Sequence, residues 1–349
     1  MRKETIGEAE LWNGDCMDVM ESLPDSSVDA IITDPPYFKV KGEAWDNQWK
    51  TAAGFLSWVD GLVVEFERIL KPNGSLYFFA SPQMAARVEV EIRKRLNILN
   101  NITWRKGGAG MRWQGTGHKT RKEDLRAFFP TTEKIIFAEH YNSDNMAKGE
   151  AGYHAKCDEL RGFVFDPLRA YLKRALDSSG LTVGALNSAM GFVPGGMASH
   201  YFSKSQWALP TAEHYAKMRQ ILGADYLCRE YEELRAEYEE LRTEYEELRR
   251  PFNVTSKDQW GDVWEFDPVQ GYKGKHPCEK PLPLLMHMLK ASTRPRAVVF
   301  DPFTGGGSMG HACHEMGRRF IGVEQCQKNF ETALERITAA QSQLRLTND

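Results

Sequence analysis

The chain has 349 residues, 42% of them hydrophobic and 27% charged, and its formal net charge at pH 7 is −3. This length is enough to bury a sizeable core in one large or two moderate domains, and the composition is that of a globular protein. The sequence has no apolar run near the roughly 18 residues that a membrane-spanning helix needs, so we predict no membrane span.

The N-terminal segment and the cysteines both predict a reducing compartment. MRKETIGEAE has no apolar stretch of the kind that a secretory signal needs, so we expect a cytoplasmic protein. The six cysteines include no CxxC pair, which argues against a disulfide framework and against a four-thiolate zinc site. His311, Cys313 and His314 are spaced as on an ordinary helix surface, and we assign no metal.

The distribution of charge is more informative than the total. Residues 228–250 contain nine Glu and five Arg, so this one segment accounts for the acidic balance. Residues 102–126 hold seven Lys or Arg against two acids, and residues 161–222 hold seven against three. Because contact with phosphates requires local positive charge, both basic segments are candidates for binding nucleic acid.

The first part of the chain predicts strands that alternate with amphipathic helices. The strands are expected at 27–33, 75–80, 101–104 and 133–139, and the helices at 55–70 and 84–97. Strands such as AIIT and LYFF are continuously apolar. This pattern is typical of a mostly parallel sheet that helices cover on both faces.

A second alternation of this kind comes only at the end of the chain. It predicts helices over 281–293, over 307–317 and from about Lys328, and strands over 297–303 and 318–324. The residues between the two alternations are more polar, and their pattern predicts helices. We therefore predict one α/β domain built from residues 1–144 and 266–349, interrupted by an inserted helical recognition region over 145–265.

Within this insert, the repeat YEELR begins at residues 231, 238 and 245. It sets a short heptad seam within 228–250, formed by Tyr231, Leu234, Tyr238, Leu241, Tyr245 and Leu248. Three heptads are marginal for a free-standing coiled coil. Packing against the rest of the chain and pairing with a second subunit as a homodimer therefore both stay open.

The tetrapeptide DPPY (34–37) directly follows the apolar strand AIIT, at the edge of the sheet where open α/β proteins bind ligands. Two prolines hold the chain extended, so the Pro35 carbonyl and the Asp34 carboxylate can face one pocket. Two acceptors of this kind can orient an exocyclic amine and take up its proton. The Tyr37 ring offers a stacking face for an extruded base. A plain Pro-Pro turn after a buried strand is the alternative.

A glycine-rich turn follows a second apolar strand in VVFDPFTGGGSMG (298–310). Glycines at 305–307 allow a ligand to approach the backbone closely. The next strand ends in Glu324, which is placed to bind the two hydroxyls of a ribose. By itself this pattern would equally fit NAD, although the GxGxxG spacing is not followed.

Taken together, DPPY, HPCEKP (276–281) and DPFTGGGS (301–308) resemble the β class of DNA amino-methyltransferases. The resemblance covers essentially the whole chain. It implies a Rossmann-like methyltransferase fold that is circularly permuted, with the catalytic motif first, an inserted target-recognition domain next and the cofactor motifs last. It also implies S-adenosylmethionine as the cofactor and double-stranded DNA as the partner.

The resemblance carries site residues onto matching positions. The catalytic motif becomes Asp34, Pro35, Pro36 and Tyr37. The cofactor-binding positions become Asp15, Cys16, His276, Lys280, Asp301, Phe303, Gly305, Gly307, Ser308 and Glu324. Among these, Lys280 is expected to neutralise the cofactor carboxylate. ITWRKGG (102–108) and TEKIIFA (132–138) resemble the family's W-x-K and E-x-I elements beside the target-base pocket. One departure is GGGSM in place of the usual GSGTT, which loses one hydroxyl.

Two segments are candidates for contacting DNA. Residues 165–207 predict short helices separated by glycines, a pattern that favours a helix-turn-helix. Its third segment would present polar side chains to DNA, while Met197 and Phe202 pack inward. The expected contacts are Ser199, His200, Ser203, Lys204 and Gln206 there, and Arg105, Lys106, Arg112, Lys119, Arg121 and Lys122 in the loop 105–126.

The predicted activity is methylation of adenine N6 in duplex DNA, by base flipping and direct transfer. Adenine is favoured because N4-cytosine members of the family more often carry Ser at the position of Asp34. The alternatives are N4-cytosine methylation, a non-catalytic DNA-binding regulator, and an RNA or protein-glutamine methyltransferase, although the last would not explain the permuted motif order and the insert. A companion restriction nuclease, as in restriction-modification pairs of bacteria or phage, also stays open.

Overall fold

The chain is described from a computed structural model that covers residues 1–40, 42, 44–107, 126, 128, 131–141, 153–193, 196–272 and 276–347. Two compact units are present. Unit 1 comprises Met1–Tyr141 and Pro251–Asp349, and unit 2 comprises Asn142–Arg250. Residues 251–265, expected in the recognition insert, belong to unit 1, because the strand formed by 263–266 pairs within the sheet of that unit.

Unit 1 is built on a mixed sheet of nine strands among the described residues. The strands are β1 (Arg2–Ile6), β2 (Ala9–Asn13), β3 (Val28–Thr33), β4 (Leu70–Ala80), β5 (Leu96–Lys106), β6 (Thr132–His140), β7 (Val263–Phe266), β8 (Val298–Asp301) and β9 (Arg319–Glu324). Their order is β1-β2-β9-β8-β3-β4-β6-β5-β7. The five strands from β2 to β4 in this order are parallel, whereas β1 and β6 run antiparallel to their neighbours.

The helices of unit 1 cover both faces of this sheet. They are α1 (Cys16–Ser22), α2 (Ala52–Ile69), α3 (Ala85–Arg93), α9 (Leu282–Ser292), α10 (Ser308–Glu315) and α11 (Gln327–Thr347). One core contains apolar side chains of α1 to α3, and a second contains those of α9 to α11. The continuous apolar strands arise because β3 and β4 are buried on both faces. The predicted α/β sheet, mostly parallel and covered by helices on both faces, is confirmed.

Two parts of the sheet differ from the prediction. The segment KPNG (71–74), between the predicted helix over 55–70 and the predicted strand over 75–80, lies inside β4, where the pairing with β3 shifts between Val28 and Ala30. It is therefore a bulge, which removes the four residues from the ladder without ending the strand. The N-terminal strands β1 and β2 were not predicted, because RKETI carries no apolar alternation.

Unit 2 has its own core within the described residues. Its helices are α4 (Tyr153–Val164), α5 (Asp166–Ser179), α6 (Val183–Ala189), α7 (Ala212–Leu222) and α8 (Tyr231–Leu248). The predicted third segment of the helix-turn-helix is only a 3₁₀ turn, Met197–Tyr201. Met197, expected to pack inward, is exposed, whereas Phe202 is buried. None of the described helices is long and apolar enough to cross a bilayer.

The heptad seam on α8 packs inside unit 2. Leu234 and Tyr245 are buried in its core, and the other four seam side chains lie partly buried against the same cluster. Phe165, for example, stacks on Tyr238 with ring centroids 5.5 Å apart. Of the two arrangements left open by the sequence, the seam therefore follows the intramolecular one.

We expect Leu234→Ala to lower the free energy of unfolding by about 2–5 kcal/mol, because the side chain is fully buried and leaves a cavity. Arg235→Ala, at an exposed position of the same helix, is the matched control and should change stability little. Urea denaturation followed by circular dichroism measures both variants. A loss no larger in Leu234→Ala than in the control, or a change of oligomeric state by sedimentation, would contradict this packing.

Candidate active site

The carboxyl ends of β3, β8 and β9 meet at one cavity of about 480 Å³ in unit 1. Parallel neighbouring strands bring their C-terminal residues to the same edge of the sheet, so the acids that follow them converge. The lining includes all four residues of DPPY and every predicted cofactor position except Gly307. Gly307 instead lies against helix α11, where an added Cβ would be 2.8 Å from the Cα of Ala333.

The glycine turn between β8 and α10 adopts a backbone that favours glycine. Gly305 has φ +54° and Gly307 has φ +82°, both in the left-handed region. A Cβ on Gly305 would meet the His276 ring at 3.3 Å. The turn is fastened to the next strand, since the amide of Gly305 donates to Glu324 Oε2 at 2.9 Å.

Two buried acids flank this turn. Asp301 ends β8, and burial raises the pKa of its carboxyl to about 8, although the amide of Phe303 donates to it at 3.1 Å. Burial also raises the pKa of Glu324, while amides of Gly305 and Cys326 stabilise the charged form. Both carboxyl groups therefore face the cavity with acceptor oxygens in surroundings that disfavour an uncompensated negative charge.

The catalytic motif lies in a buried cluster of four charged residues. Lys280 Nζ donates to Asp34 Oδ2 and lies 3.3 Å from Glu133 Oε2. Lys106 Nζ donates to Glu133 Oε1, and Tyr37 Oη donates to Glu133 Oε2 at 3.2 Å. Two carboxylates and two ammonium groups cancel in formal charge, which is why the cluster tolerates burial.

The second carboxylate oxygen of Asp34 is different. Oδ1 is buried, and no described residue donates a well-formed hydrogen bond to it. Burial raises the pKa of Asp34, and the nearby Lys280 opposes that rise. This oxygen is thus buried at considerable desolvation cost, and the Tyr37 hydroxyl is the side-chain donor that lies beside Asp34.

Comparison with known proteins gives the family. A sequence model described as DNA methylase matches residues 28–335. The chain belongs to this DNA methylase family. The match covers most of the chain, including the DPPY motif and the glycine turn, and it confirms the predicted class of S-adenosylmethionine-dependent DNA methyltransferase.

Individual relatives of the methylase are distant. The DNA adenine methyltransferase YhdJ of Escherichia coli K12 is 22% identical over 336 residues, which cover 94% of this chain and 82% of that protein. The type II methyltransferase M.HinfI of Haemophilus influenzae is 23% identical over 355 residues, covering 97% of this chain and 71% of that protein. The solved structure of PvuII DNA methyltransferase (cytosine-N4-specific) superposes with a TM-score of 0.51 at 12% identity, covering 97% of this chain and 93% of that one. That structural likeness concerns the fold.

The cavity of the methylase fits S-adenosylmethionine. Its volume lies within the usual range of small-molecule sites. The cofactor offers a cationic sulfonium and ammonium and two ribose hydroxyls, and the cavity offers the carboxyl groups of Asp301 and Glu324. The predicted contacts Asp15, Cys16, His276 and Phe303 line the same cavity. Asp15 also caps α1, accepting from the amide of Met17 at 2.8 Å.

Lys280 and Lys106 lie differently from their predicted roles. The sequence put Lys280 on the cofactor carboxylate, yet its ammonium is engaged by Asp34 and Glu133. Lys106, expected to contact a DNA phosphate, is paired with Glu133. The physical reason is the same for both, because buried carboxylates attract the cations within reach more strongly than solvent does.

The other predicted DNA contacts are spread over both units. Arg105 pairs with Glu265 at 2.5 Å. Arg112, Lys119, Arg121 and Lys122 lie outside the described residues. In unit 2, the side chains of Ser199, Lys204 and Gln206 are exposed, and those of His200 and Ser203 are half-buried.

Glu133 was included only as the Glu of the E-x-I element, and the sequence assigned it no role of its own. It is the second residue of the apolar strand β6, and its carboxylate is the common partner of Lys280, Lys106 and Tyr37. The available signal was a charged residue at the start of a buried strand, following the W-x-K element. Its role could not be read from spacing, because its partners come from three separate parts of the chain.

Proposed function

We propose that the chain transfers a methyl group from S-adenosylmethionine to the N6 amino group of adenine in duplex DNA. The observation that carries this proposal is Asp34 Oδ1, a buried acceptor that receives no well-formed hydrogen bond from the described residues. Asp34 lines the same cavity as Asp301, Glu324 and the glycine turn. An exocyclic amine supplies the donor that this oxygen lacks.

The target amine is held by acceptors of the DPPY motif. Asp34 Oδ1 accepts one amine hydrogen, and the carbonyl of Pro35 accepts the other. Two acceptors fix the orientation of the amino group, so that its nitrogen lone pair points away from the protein and toward the methyl donor. The Tyr37 ring stacks on the extruded base, since its hydroxyl is anchored on Glu133 and leaves the ring face available.

The cofactor half of the cavity holds the methyl donor. Glu324 accepts hydrogen bonds from the ribose hydroxyls, and Asp301 faces the positively charged methionine end. When bound, S-adenosylmethionine supplies an electrophilic methyl group on a sulfonium. Asp15, Cys16 and Phe303 enclose the nucleoside, and Gly305 allows the chain to approach it closely.

In the reaction, a bond forms between the amine nitrogen and the methyl carbon while the sulfur–carbon bond breaks. Bound S-adenosylmethionine would supply the methyl group and leave as a neutral thioether, and the positive charge would pass to the amine nitrogen. Asp34 then accepts the surplus amine proton, which leaves a neutral methylamino group. No covalent enzyme intermediate is required.

Adenine is favoured over cytosine on two grounds. The acid at position 34 matches the adenine-specific pattern, and a curated relative over nearly the whole chain is named a DNA adenine methyltransferase. Exposed polar residues at 199–206 and the basic segment 105–126 contact the DNA in this proposal. Nucleoid association in the cytoplasm and a companion restriction nuclease would fit the same activity. Dimerisation through the heptad seam is not part of it, because the seam packs within unit 2.

The test is to incubate the purified protein with unmethylated duplex DNA and S-adenosylmethionine labelled in the methyl group. The DNA is digested to nucleosides, and the labelled nucleoside is identified by mass spectrometry. The same DNA treated with Asp34→Ala is the negative control. We expect N6-methyladenine with the wild-type protein and none with the variant.

Other outcomes are equally informative. N4-methylcytosine would keep the reaction and the site but replace the target base. DNA binding without any methylated nucleoside would contradict the proposal and favour a non-catalytic regulator.

A further inference from the structure

Within the charged cluster around Asp34, the proposed chemistry gives no task to the second carboxylate, that of Glu133. Glu133 does not carry the unpartnered acceptor, yet its side chain is only 13% exposed and binds three partners. Its oxygen Oε2 is shared by Tyr37 and Lys280, and Oε1 binds Lys106. Burying a second carboxylate so close to Asp34 raises the cost of ionising the cluster, so its presence calls for a reason.

Lys280 is the point at which the two acids compete. Its side chain is 8% exposed, and the rings of Phe79, Tyr37 and Trp104 surround its ammonium at 4.8, 5.6 and 6.0 Å from their centroids. Apart from these rings and the Cys278 carbonyl at 3.5 Å, the ammonium interacts with the two carboxylates, and little water reaches it. Any attraction between Lys280 and Glu133 therefore weakens the ion pair between Lys280 and Asp34.

We propose that Glu133 is a positioning residue, which draws part of the Lys280 charge away from Asp34 and so keeps Asp34 a good proton acceptor. This inference rests on the proposed function, in which Asp34 accepts the amine proton. Glu133 itself touches neither the amine nor the methyl donor. It acts through Lys280 and through the anchored hydroxyl of Tyr37.

The directions in which neighbouring groups shift the pKa of Asp34 agree with this role. Burial raises the pKa of Asp34, Lys280 lowers it and Glu133 raises it. Burial also raises the pKa of Glu133, but Lys280 and Lys106 outweigh burial and bring it to about 2. Lys280 and Lys106 therefore favour the charged form of Glu133. The groups facing Asp34 are Lys280, Glu133 and Tyr37, with Asp301 across the cavity.

The first experiment compares the pH dependence of kcat in three variants. Removing the charge of Glu133 in Glu133→Gln lets Lys280 pair fully with Asp34. The acid limb of kcat should then move to lower pH by about one unit, and the plateau should fall about tenfold or more. KM for S-adenosylmethionine should stay close to wild type.

Lys280→Met should shift the acid limb in the opposite direction, to higher pH, because Asp34 loses the cation that stabilises its charge. Glu133→Asp keeps the charge, so its limb should stay near the wild-type position even if its plateau falls. Glu139→Gln is the matched control, since Glu139 is a buried acid at the far end of the same strand. If Glu133 had a purely structural role, Glu133→Gln would lower stability. Its acid limb would then not move to lower pH while that of Lys280→Met moves to higher pH.

A second measurement needs neither DNA nor turnover. NMR titration of Asp labelled with ¹³C at the carboxyl carbon follows Asp34 directly, and the signal that disappears in Asp34→Asn assigns it. The apparent pKa of Asp34 should fall in Glu133→Gln and stay unchanged in Glu139→Gln. Circular dichroism at each pH confines the comparison to folded protein.

The outcomes separate this inference from the proposed function. An unchanged or raised pKa of Asp34 in Glu133→Gln overturns the role of Glu133, even if the wild-type protein methylates adenine. A lowered pKa supports the control of Asp34 by Glu133, even if the methylated base is cytosine. A lowered pKa with kcat of Glu133→Gln equal to wild type would also overturn it.

Discussion

We expect Asp34→Ala to lower the single-turnover rate of methyl transfer by about 10²- to 10⁴-fold, the range that a general base contributes. The variant loses the acceptor Oδ1 while Lys280 retains Glu133 as its partner. The cluster therefore keeps one carboxylate for its buried cation, and the fold should survive. Rapid-quench measurement of labelled DNA at saturating cofactor isolates the chemical step from product release.

Asp25→Ala is the matched control for this prediction. Asp25 precedes the same strand, its side chain is 77% exposed, and it pairs only with Arg68 among the described residues. Its variant should transfer methyl groups at the wild-type rate. Cofactor binding, measured by calorimetry, should remain in both variants. Retention of more than about a tenth of the wild-type rate by Asp34→Ala would fall short of a general-base contribution and refute the assigned role.

The second large effect concerns the pH dependence of cofactor binding. Burial raises the pKa of Asp301 to about 8, so the carboxyl is protonated at neutral pH in the free protein. A cationic ligand beside it stabilises the ionised form, and binding then releases a proton. Below this pKa, the affinity for S-adenosylmethionine should rise with pH by up to about tenfold per unit, and it should level off above it.

Asp301→Asn tests this linkage. An amide resembles the protonated carboxyl, so the two proteins should bind similarly near pH 6, and the advantage of the wild type should grow toward pH 8. The ratio of the two affinities cancels any titration of the ligand itself. Calorimetry in buffers of different ionisation enthalpy should detect proton release only with the wild type. A ratio that does not change with pH would refute the coupling.

The sequence predicted the central sheet and the edge at which the site lies. Ala30, Ile31 and Ile32 form a continuous apolar run because helices cover both faces of β3, and each is at most 1% exposed. The acid that follows such a run necessarily lies at the carboxyl end of the strand. For this reason, Asp34 could be placed at the ligand-binding edge of the sheet before any contact was known, and Asp301 lines the same cavity.

The pairing of charges within the site could not be predicted. Glu133 and Lys280 are far apart in the sequence, and no periodicity links them. Lys280 has two carboxylates within reach in the folded protein, and the cofactor carboxylate was the partner that the family resemblance suggested. Which partner engages Lys280 depends on burial and on the surrounding rings, and these are properties of the packed structure.

Weak helix propensity explains why the predicted third segment of the helix-turn-helix does not form an α-helix in unit 2. The expected recognition segment contains Gly196 and a run of Ser and His, which favour a helix weakly, so it forms one 3₁₀ turn. Polar spacing alone suggested a longer helix. The boundary at 265 was misplaced for a related reason, because a four-residue strand such as β7 leaves almost no pattern in the sequence.

The strand order also governs when the active site can form during synthesis. Ala30 pairs with Val299, and β9 lies between β8 and β2, so β3 lacks its neighbour on that side until residue 299 has been made. At translation rates of about 5–20 residues per second, this delay lasts on the order of tens of seconds. During that time the apolar edge of β3 is open to pairing with other chains.

The core of unit 2 is formed by residues within 109 consecutive positions, Asn142–Arg250. This unit can therefore fold before the sheet of unit 1 is complete. Its contacts are local compared with those of the interrupted sheet, and local contacts form faster. The nascent methylase is therefore most exposed to aggregation after unit 2 has emerged and before β8 and β9 have. Chaperone dependence and expression yield should be controlled by that interval more than by the stability of the finished protein.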